Sequence, residues 1–101
     1  MISDCFNLST ETSELISLQK EIIDLANSER NALGFIPASA YETAIDRGRL
    51  LALVENQKSS IRLAGFLLYS GVKTSAKIQQ IAICPEFRGR GVGKALLHAL
   101  I

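Results

Sequence analysis

The sequence predicts one α+β domain of mixed α/β character, with the element order β-α-α-β-β-β-α and a mostly antiparallel sheet. Two helical patterns come first, and three strand-like runs separated only by short polar turns follow, as is typical of antiparallel hairpins. A last helix begins after a glycine-rich turn. Helices that cover the faces of such a sheet give this architecture. Residues 1–101 are 48% apolar, which is enough for a single hydrophobic core.

The first half of the chain predicts one strand and two helices. Residues 2–8 form a weakly patterned strand, and residues 12–33 repeat apolar side chains at helical spacing. Ser39 and Glu42 have the spacing of a capping box, which predicts a second, shorter helix over residues 40–47. The apolar positions that define the first helix are Leu15, Leu18, Ile22, Leu25 and Ala26.

The second half predicts three strands and a helix. The strands cover residues 50–54, 61–72 and 76–84, and the middle one contains Gly65. The helix covers residues 92–101. Since the turns between the strands are short, each strand is expected to pair with the next along the chain.

Charge and composition exclude several classes of protein. The net charge of +1 gives no general surface for nucleic acid. We expect no membrane span, because no apolar run reaches about 18 residues, and no signal peptide. Cys5 and Cys84 lie far apart without metal-site spacing, so we expect no metal. Cys84 is expected to be a buried free thiol in a cytoplasmic protein.

A basic, glycine-rich segment joins the last predicted strand to the last helix. Glycines let backbone N–H groups approach an anion, and a helix N-terminus presents unpaired donors and partial positive charge. The helix dipole disfavours cations there, so three basic side chains favour an anionic ligand. The alternative is that they are solvated surface charges beside Glu86. The segment is Arg88, Gly89, Arg90, Gly91, Val92, Gly93 and Lys94.

The spacing of the glycines excludes two common phosphate-binding motifs. A P-loop needs glycine at position 88 and Ser or Thr at position 95, where the chain has Arg88 and Ala95. The dinucleotide fingerprint needs Gly-x-Gly-x-x-Gly and an acidic residue about 20 residues further on. The glycines here follow Gly-x-Gly-x-Gly, and the sequence runs only to Ile101.

The pattern Arg88-x-x-Gly91-x-Gly93 resembles the acyl-CoA signature of the GCN5-related N-acetyltransferase (GNAT) family, which is (Gln/Arg)-x-x-Gly-x-(Gly/Ala). The flanking residues 81–87 and 94–97 also match in the right order. The resemblance implies an acyl-CoA N-acyltransferase-like fold that stops after the motif helix. It further implies an N-acetyltransferase that uses acetyl-CoA and acts on a primary amine of a small molecule or a peptide.

The resemblance also implies how the cofactor is held. The pantetheine arm would pair with the backbone of residues 81–83 like an added strand, and one N–H there would polarise the thioester and hold the oxyanion. The pyrophosphate would lie on the N–H groups of residues 89–94, which requires small residues at Gly91 and Gly93. The cofactor-binding residues implied are Ile81, Ala82, Ile83, Arg88, Gly89, Arg90, Gly91, Val92, Gly93 and Lys94.

No catalytic residue can be named from the sequence. An attacking amine must lose a proton, and some relatives use a glutamate a few residues before the cofactor-binding edge. The corresponding residues 77–80 contain no carboxylate. Glu42, Asp46 and Glu55 are interpreted as surface or capping charges, and His98 as a surface or packing residue.

Family members continue beyond the motif helix with further strands and a tyrosine that often protonates the leaving thiolate. We therefore expect the chain to be part of a longer protein or to be completed as a homodimer, because the strand at 76–84 is an open sheet edge. Phe35 and Ile36 either line the acceptor site or pack on the core. Two functions stay open: an N-acetyltransferase or its cofactor-binding half, and a catalytically incompetent acyl-CoA-binding or assembly module.

Overall fold

The structure, a computed structural model, describes residues 6–29, 37–57, 60–71, 75 and 77–100. Some of the predictions fall on residues outside these ranges. They are the roles of Cys5, Phe35 and Ile36, the start of the predicted first strand, the end of the predicted first helix, and the ends of later elements at Val72, Ala76 and Ile101.

The predicted fold class and element order are confirmed. Four strands form one antiparallel sheet in the order β1-β2-β3-β4, so each strand pairs with the next in the chain. The elements are β1 (Phe6–Ser9), α1 (Thr12–Ser28), α2 (Ala38–Asp46), β2 (Leu50–Gln57), β3 (Ser60–Ser70), β4 (Lys77–Ile83), a 3₁₀ turn (Pro85–Phe87) and α3 (Val92–Leu100).

Helices cover both faces of the sheet, because the strands carry apolar side chains on each face. Helices α1 and α2 pack on one face, where the core includes Leu15, Tyr41 and Phe66. Helix α3 packs on the other face through Val92 and Leu96. Among the described residues, no helix is both long and apolar enough to cross a membrane.

The predicted capping box at Ser39 and Glu42 is wrong. Helix α2 starts at Ala38, and Pro37 is its N-cap without a side-chain cap hydrogen bond. Proline fixes the φ angle of the entry residue at −61°, so the helix begins two residues earlier than the capping pattern suggests. Ser39 is already helical, and its carbonyl accepts a hydrogen bond from the Thr43 hydroxyl at 3.0 Å.

Strands β2 and β3 are longer at their shared turn than predicted. Polar residues at 55–57, predicted to be loop, continue β2 because they pair across the sheet with β3. Glu55 lies opposite Arg62, and Asn56 lies opposite Ile61. Cross-strand pairs of opposite charge stabilise a sheet without any apolar alternation.

Two irregularities interrupt the register of the sheet. In the β2–β3 register, Leu53 faces Gly65 and Val54 faces Leu63, so Ala64 is an extra residue in β3. A second shift between β3 and β4 leaves Gln79 as an extra residue in β4. Bulges of this kind bend a strand and change the direction of its side chains.

The bulge in β3 is held by two side chains from other elements. A carboxylate oxygen of Glu21, on α1, accepts a hydrogen bond from the Leu63 N–H at 3.3 Å. The Cys84 thiol donates to the Leu63 carbonyl at 3.2 Å. Cys84 is a free thiol as predicted, but it is half-buried and follows β4 rather than lying in it. Burial raises the pKa of this thiol.

Gly65 allows β4 and α3 to approach β3 closely. A Cβ atom built at this position would lie 2.8 Å from the Ala82 carbonyl oxygen, 2.9 Å from Cδ1 of Ile83 and 3.1 Å from Cγ1 of Val92. Two of these atoms belong to β4 and one to the first turn of α3. Glycine in the middle of a strand often marks such a close approach.

Replacement of Gly65 should therefore destabilise the whole junction. We expect Gly65→Ala to lower the free energy of unfolding by about 1–3 kcal/mol, as is usual for overpacking. Gly93→Ala is the matched control, because its Cβ would meet Ile83 only at an ordinary 3.7 Å and alanine favours a helix. Urea denaturation measures both, and equal stability of Gly65→Ala and wild type would contradict the close approach.

Candidate functional site

The glycine turn has a backbone conformation that other residues rarely adopt. Gly89 has a φ angle of +78° and Gly91 one of +81°, while Arg90 and Val92 have negative φ angles. A Cβ at Gly89 or Gly91 would meet nothing within 4 Å. The backbone conformation at position 91 therefore requires glycine on its own, in addition to the small size that the resemblance implies for a cofactor contact. Successive peptides that alternate in this way point their N–H groups into one concavity.

Six consecutive backbone N–H groups at the turn form no hydrogen bond of ordinary geometry within the described part of the chain. The last hydrogen bond before them runs from the Arg88 N–H to the Pro85 carbonyl at 3.3 Å, and the first after them from the Ala95 N–H to the Gly91 carbonyl at 3.0 Å. Between these bonds, the N–H groups of residues 89–94 form no hydrogen bond of ordinary geometry with another described residue. Together with the positive end of the α3 dipole, they form an arrangement suited to an anion.

Strand β4 has a neighbour on one side only within the described sheet. The Cys84 N–H donates to the Ala64 carbonyl at 2.8 Å, which shows that this residue pair is hydrogen-bonded. Because hydrogen-bonded and non-bonded pairs alternate in an antiparallel ladder, the peptide groups of Ala82 also face β3. Those of Ile81 and Ile83 face the open edge. Of the three edge residues that the resemblance implies, two thus present their backbone outward.

Arg88 links this edge to the glycine turn. Its Nε donates to the Ile83 carbonyl at 3.2 Å, which confirms that the carbonyl points away from β3. The guanidinium also forms an ion pair with Glu29, the C-cap residue of α1. Glu86 is not its partner, because Glu86 pairs with Arg62. The hydrogen bond with Glu86 raises the pKa of Arg62.

The other two basic residues of the segment differ in their surroundings. Arg90 lies 3.5 Å from a carboxylate oxygen of Glu55, and its guanidinium stacks against Phe6 and Phe87. Lys94, in the first turn of α3, forms no ion pair among the described residues. Of the three cations in the segment, Lys94 is therefore the one that has no ion pair within the described residues to exchange for an anionic ligand.

A buried polar pair joins α2 to β4, and sequence reasoning missed it. The Tyr41 hydroxyl, on α2, donates to Oε1 of Gln80 at 2.7 Å. Tyr41 is 1% exposed and Gln80 is 3% exposed. The Nε2 atom of Gln80 is buried without an acceptor, which makes this amide an unused donor next to the bulge at Gln79. No short-range pattern could have shown the pair, since the two residues are 39 positions apart.

The structure places the remaining titratable candidates away from the open edge. Glu42 accepts a hydrogen bond from Gln19 at 3.0 Å on the exposed side of α1 and α2, and Asp46 ends α2. Glu55 lies on β2 and pairs with Arg90. His98 is in the last turn of α3. In the described part of the chain, no group of three or more side chains could hold a metal ion.

The chain belongs to the Acetyltransferase (GNAT) family, whose family model matches residues 15–101. This match includes both sheet faces, the open edge of β4 and the glycine turn. No curated protein matched the sequence.

Solved structures of acetyltransferases have the same fold. One is an aminoglycoside acetyltransferase from an uncultured soil metagenomic sample, in complex with trehalose (TM-score 0.66, 18% identity, 98% of this chain and 69% of that one). A second is a GCN5-related N-acetyltransferase from Kribbella flavida, with a TM-score of 0.63 and 16% identity over 94% of this chain and 26% of that one. A third is a ribosomal-protein-alanine N-acetyltransferase from Brucella melitensis biovar Abortus 2308, with a TM-score of 0.58 and 21% identity over 94% of this chain and 67% of that one. At these identities the likeness concerns the fold, and the chain spans only part of each protein.

The buried pair makes a prediction about stability. Tyr41→Phe removes the donor to Gln80 and leaves the amide oxygen buried without a partner, so we expect a loss of about 1–3 kcal/mol in the free energy of unfolding near neutral pH. Burial raises the pKa of Tyr41 above 10.0, against a smaller opposite effect of its hydrogen bond with Gln80. The folded state therefore disfavours the phenolate.

The same shift predicts a pH dependence. The contribution of the protonated phenol is complete below pH 10 and is lost as the pH rises above it, because the unfolded state ionises first. Wild type should thus lose more stability between pH 8 and pH 11 than Tyr41→Phe does. Urea titrations at the two pH values measure this, and parallel losses in both proteins would show that Tyr41 is not held in its neutral form.

Proposed function

We propose that the protein is an acetyl-CoA-dependent N-acetyltransferase, or the cofactor-binding part of one, which acetylates a primary amine. The observation that carries this proposal is the row of N–H groups at residues 89–94, which lies directly beyond the open edge of β4. Membership of the GNAT family supports acetyl transfer as the class of reaction.

The residues present fit the phosphate end of coenzyme A. A pyrophosphate offers several oxygens that accept hydrogen bonds, and the turn offers N–H groups in one concavity. The Lys94 ammonium adds a charge-assisted contact. These groups suit an anion of this kind better than a single carboxylate, which cannot occupy a row of six donors.

The open edge of β4 fits the amide-containing arm of the same molecule. The N–H and C=O groups of Ile81 and the N–H of Ile83 face outward without a neighbouring strand among the described residues. An extended chain with its own amides can pair with such an edge as an added strand. Because Arg88 occupies the Ile83 carbonyl, the groups left to pair with the arm are the Ile83 N–H and the Ile81 carbonyl, and the Ile81 N–H remains free beyond them.

The direction of β4 supports a position for the reactive end of the proposed cofactor. Phosphates at the glycine turn lie beyond the C-terminal end of β4, so an arm that runs along Ile83 and then Ile81 leads towards Gln79 and Gln80. Acetyl-CoA supplies an activated acetyl thioester. The N–H of Ile81 is placed to donate a hydrogen bond at this end, and preorganised backbone donors of this type stabilise developing negative charge.

The acceptor is proposed as an amine of a small molecule or a peptide. The structural neighbours include an aminoglycoside acetyltransferase and a ribosomal-protein-alanine N-acetyltransferase, whose names cover both kinds of acceptor. An amine attacks only in its neutral form, and residues 77–80 offer no carboxylate to remove its proton. The acceptor would therefore need to bind already deprotonated or to meet a base from elsewhere.

The absence of a carboxylate at 77–80 also favours a second candidate function. The chain would then bind acyl-CoA without turnover, as a binding or assembly module. Gln80 is held by Tyr41 and cannot act as a base. The two candidates share the cofactor site and differ only in whether the bound thioester is consumed in the presence of an amine.

We further propose that the protein works in the cytoplasm and that, when no cofactor arm occupies the open edge of β4, this edge pairs with a second copy of the chain to give a homodimer. An unpaired strand edge is a template for such pairing. Light scattering over a range of concentrations tests this, and a monomer at every concentration would contradict it.

Replacement of a glycine in the turn tests the cofactor site. Gly91→Asp puts a negative side chain at the mouth of the concavity, and like charges that face each other cost several kcal/mol. We expect coenzyme A binding to weaken at least about tenfold in calorimetry. Gly48→Asp is the matched control, because Gly48 also has a positive φ angle, +70°, and open space around it, but ends α2 far along the chain from the turn.

The two variants together separate binding from folding. If both weaken binding equally, the loss comes from backbone strain or net charge rather than from the site. Binding by Gly91→Asp that equals wild type would refute the assignment of the pyrophosphate to the glycine turn.

Turnover distinguishes the two candidate functions. Because general acid and base groups each contribute about 10²–10⁴-fold, we expect the chain to transfer acetyl groups slowly near pH 7. The rate should rise with pH as more of the amine becomes neutral. Release of free thiol from acetyl-CoA, measured with polyamines, amino acids and peptides, gives this profile. Binding without release at any pH supports the module, and fast release near pH 7 would show that a base has been overlooked.

A further inference from the structure

The side chain of Arg90, in the glycine turn, contacts two aromatic rings and one carboxylate. The guanidinium carbon lies 4.9 Å from the ring centroid of Phe6 and 5.3 Å from that of Phe87. Its Nη2 lies 3.5 Å from Oε2 of Glu55. Phe6, Glu55 and Phe87 come from β1, β2 and the 3₁₀ turn, and we refer to these three residues as the Arg90 seat.

The Arg90 seat is built into the sheet. Phe6 and Glu55 lie directly opposite each other in the β1–β2 register. Phe6 and Phe87 are both buried, and their rings meet edge to face with centroids 5.7 Å apart. Groups fixed by strand pairing and ring packing keep their places whether or not a ligand is present.

The carboxylate and the two rings of the Arg90 seat already offset the positive charge of Arg90. The Glu55 side chain is only 15% exposed, and a carboxylate that is mostly out of water depends on nearby positive charge. The two rings attract the guanidinium through their π faces. A move of Arg90 towards a phosphate would break these contacts, although the N–H groups of residues 89–94 and Lys94 can bind that anion without it.

We propose that Arg90 is a positioning residue for the cofactor. Its side chain holds the glycine turn against the sheet through the Arg90 seat, and the backbone of the turn contacts the phosphates. This differs from the direct contact that the resemblance implies for Arg90. The proposal rests on the proposed function only in taking coenzyme A as the ligand.

A double-mutant cycle separates positioning from direct contact. The variants are Arg90→Met, Phe6→Leu and the pair, with coenzyme A binding measured by calorimetry over a range of KCl concentrations. Each single change should weaken binding roughly 3- to 10-fold, the size of a cation–π contact. The double variant should be no weaker than Arg90→Met within about twofold, because both changes remove the same interaction.

The salt dependence gives a second criterion. An arginine that touches phosphate adds to the fall of affinity with salt, so Arg90→Met should keep the wild-type slope while Lys94→Met flattens it. Arg47→Met, which removes an exposed arginine at the end of α2, controls for net charge and should match wild type. Additive losses in the cycle, or a flattened slope in Arg90→Met, would overturn the proposal.

Two further measurements keep the test decisive. Since Phe6→Leu also perturbs the core, Glu55→Gln serves as a second partner change and should again be non-additive with Arg90→Met. Without ligand, amide exchange at Arg88 and Ala95, whose N–H bonds flank the turn, should quicken several-fold in Arg90→Met. If wild type fails to bind coenzyme A, the proposed function is refuted, and unchanged exchange would then separately refute the role of Arg90.

Discussion

The close approach of β3, β4 and α3 at Gly65 is the constraint on which the site depends. A side chain there would collide with the Ala82 carbonyl, Ile83 and Val92, and so would push the strand edge and the helix start apart. The open edge needs Ile83 in place, and the anion-binding N–H groups need Val92 in place. One missing Cβ atom on a neighbouring strand thus aligns the open edge of β4 with the N–H groups of the glycine turn, the two sets of backbone groups on which the proposed cofactor site relies.

The charges around the glycine turn are arranged differently from what its basic sequence suggests. Arg88 and Arg90 pair with Glu29 and Glu55, and only Lys94 is left without an ion pair in the described residues. Exposed ion pairs contribute little stability, about 0–1 kcal/mol. Their main effect is on the position of the glycine turn, because each ion pair attaches the turn to a different element. Attraction for an anion then depends mainly on oriented backbone dipoles, which lose no side-chain entropy when they bind.

Local patterns predicted most of the fold, since apolar periodicity and turn residues depend on neighbours in the chain. They failed where a stronger local constraint competed, as Pro37 did with the capping pattern at Ser39, and where strand pairing extended β2 into a polar stretch. The glycine turn was predictable for the same reason as the helices. Side-chain partners that lie far apart in the sequence were not predictable. Arg88 and Glu29 are 59 positions apart, and Tyr41 and Gln80 are 39 apart. The isolated glycine inside β3 was the one available signal for the close approach at Gly65.

The order of the sheet has a consequence for how the molecule folds. Strands β2, β3 and β4 follow one another both in the chain and in space, so each closes a short loop onto its predecessor at small entropic cost. A meander of this kind has low contact order, which is associated with rapid folding. The helix that carries the anion-binding N–H groups follows directly on the last strand. The open edge and the glycine turn therefore belong to one nearly continuous stretch of chain, able to form largely from contacts between sequence neighbours.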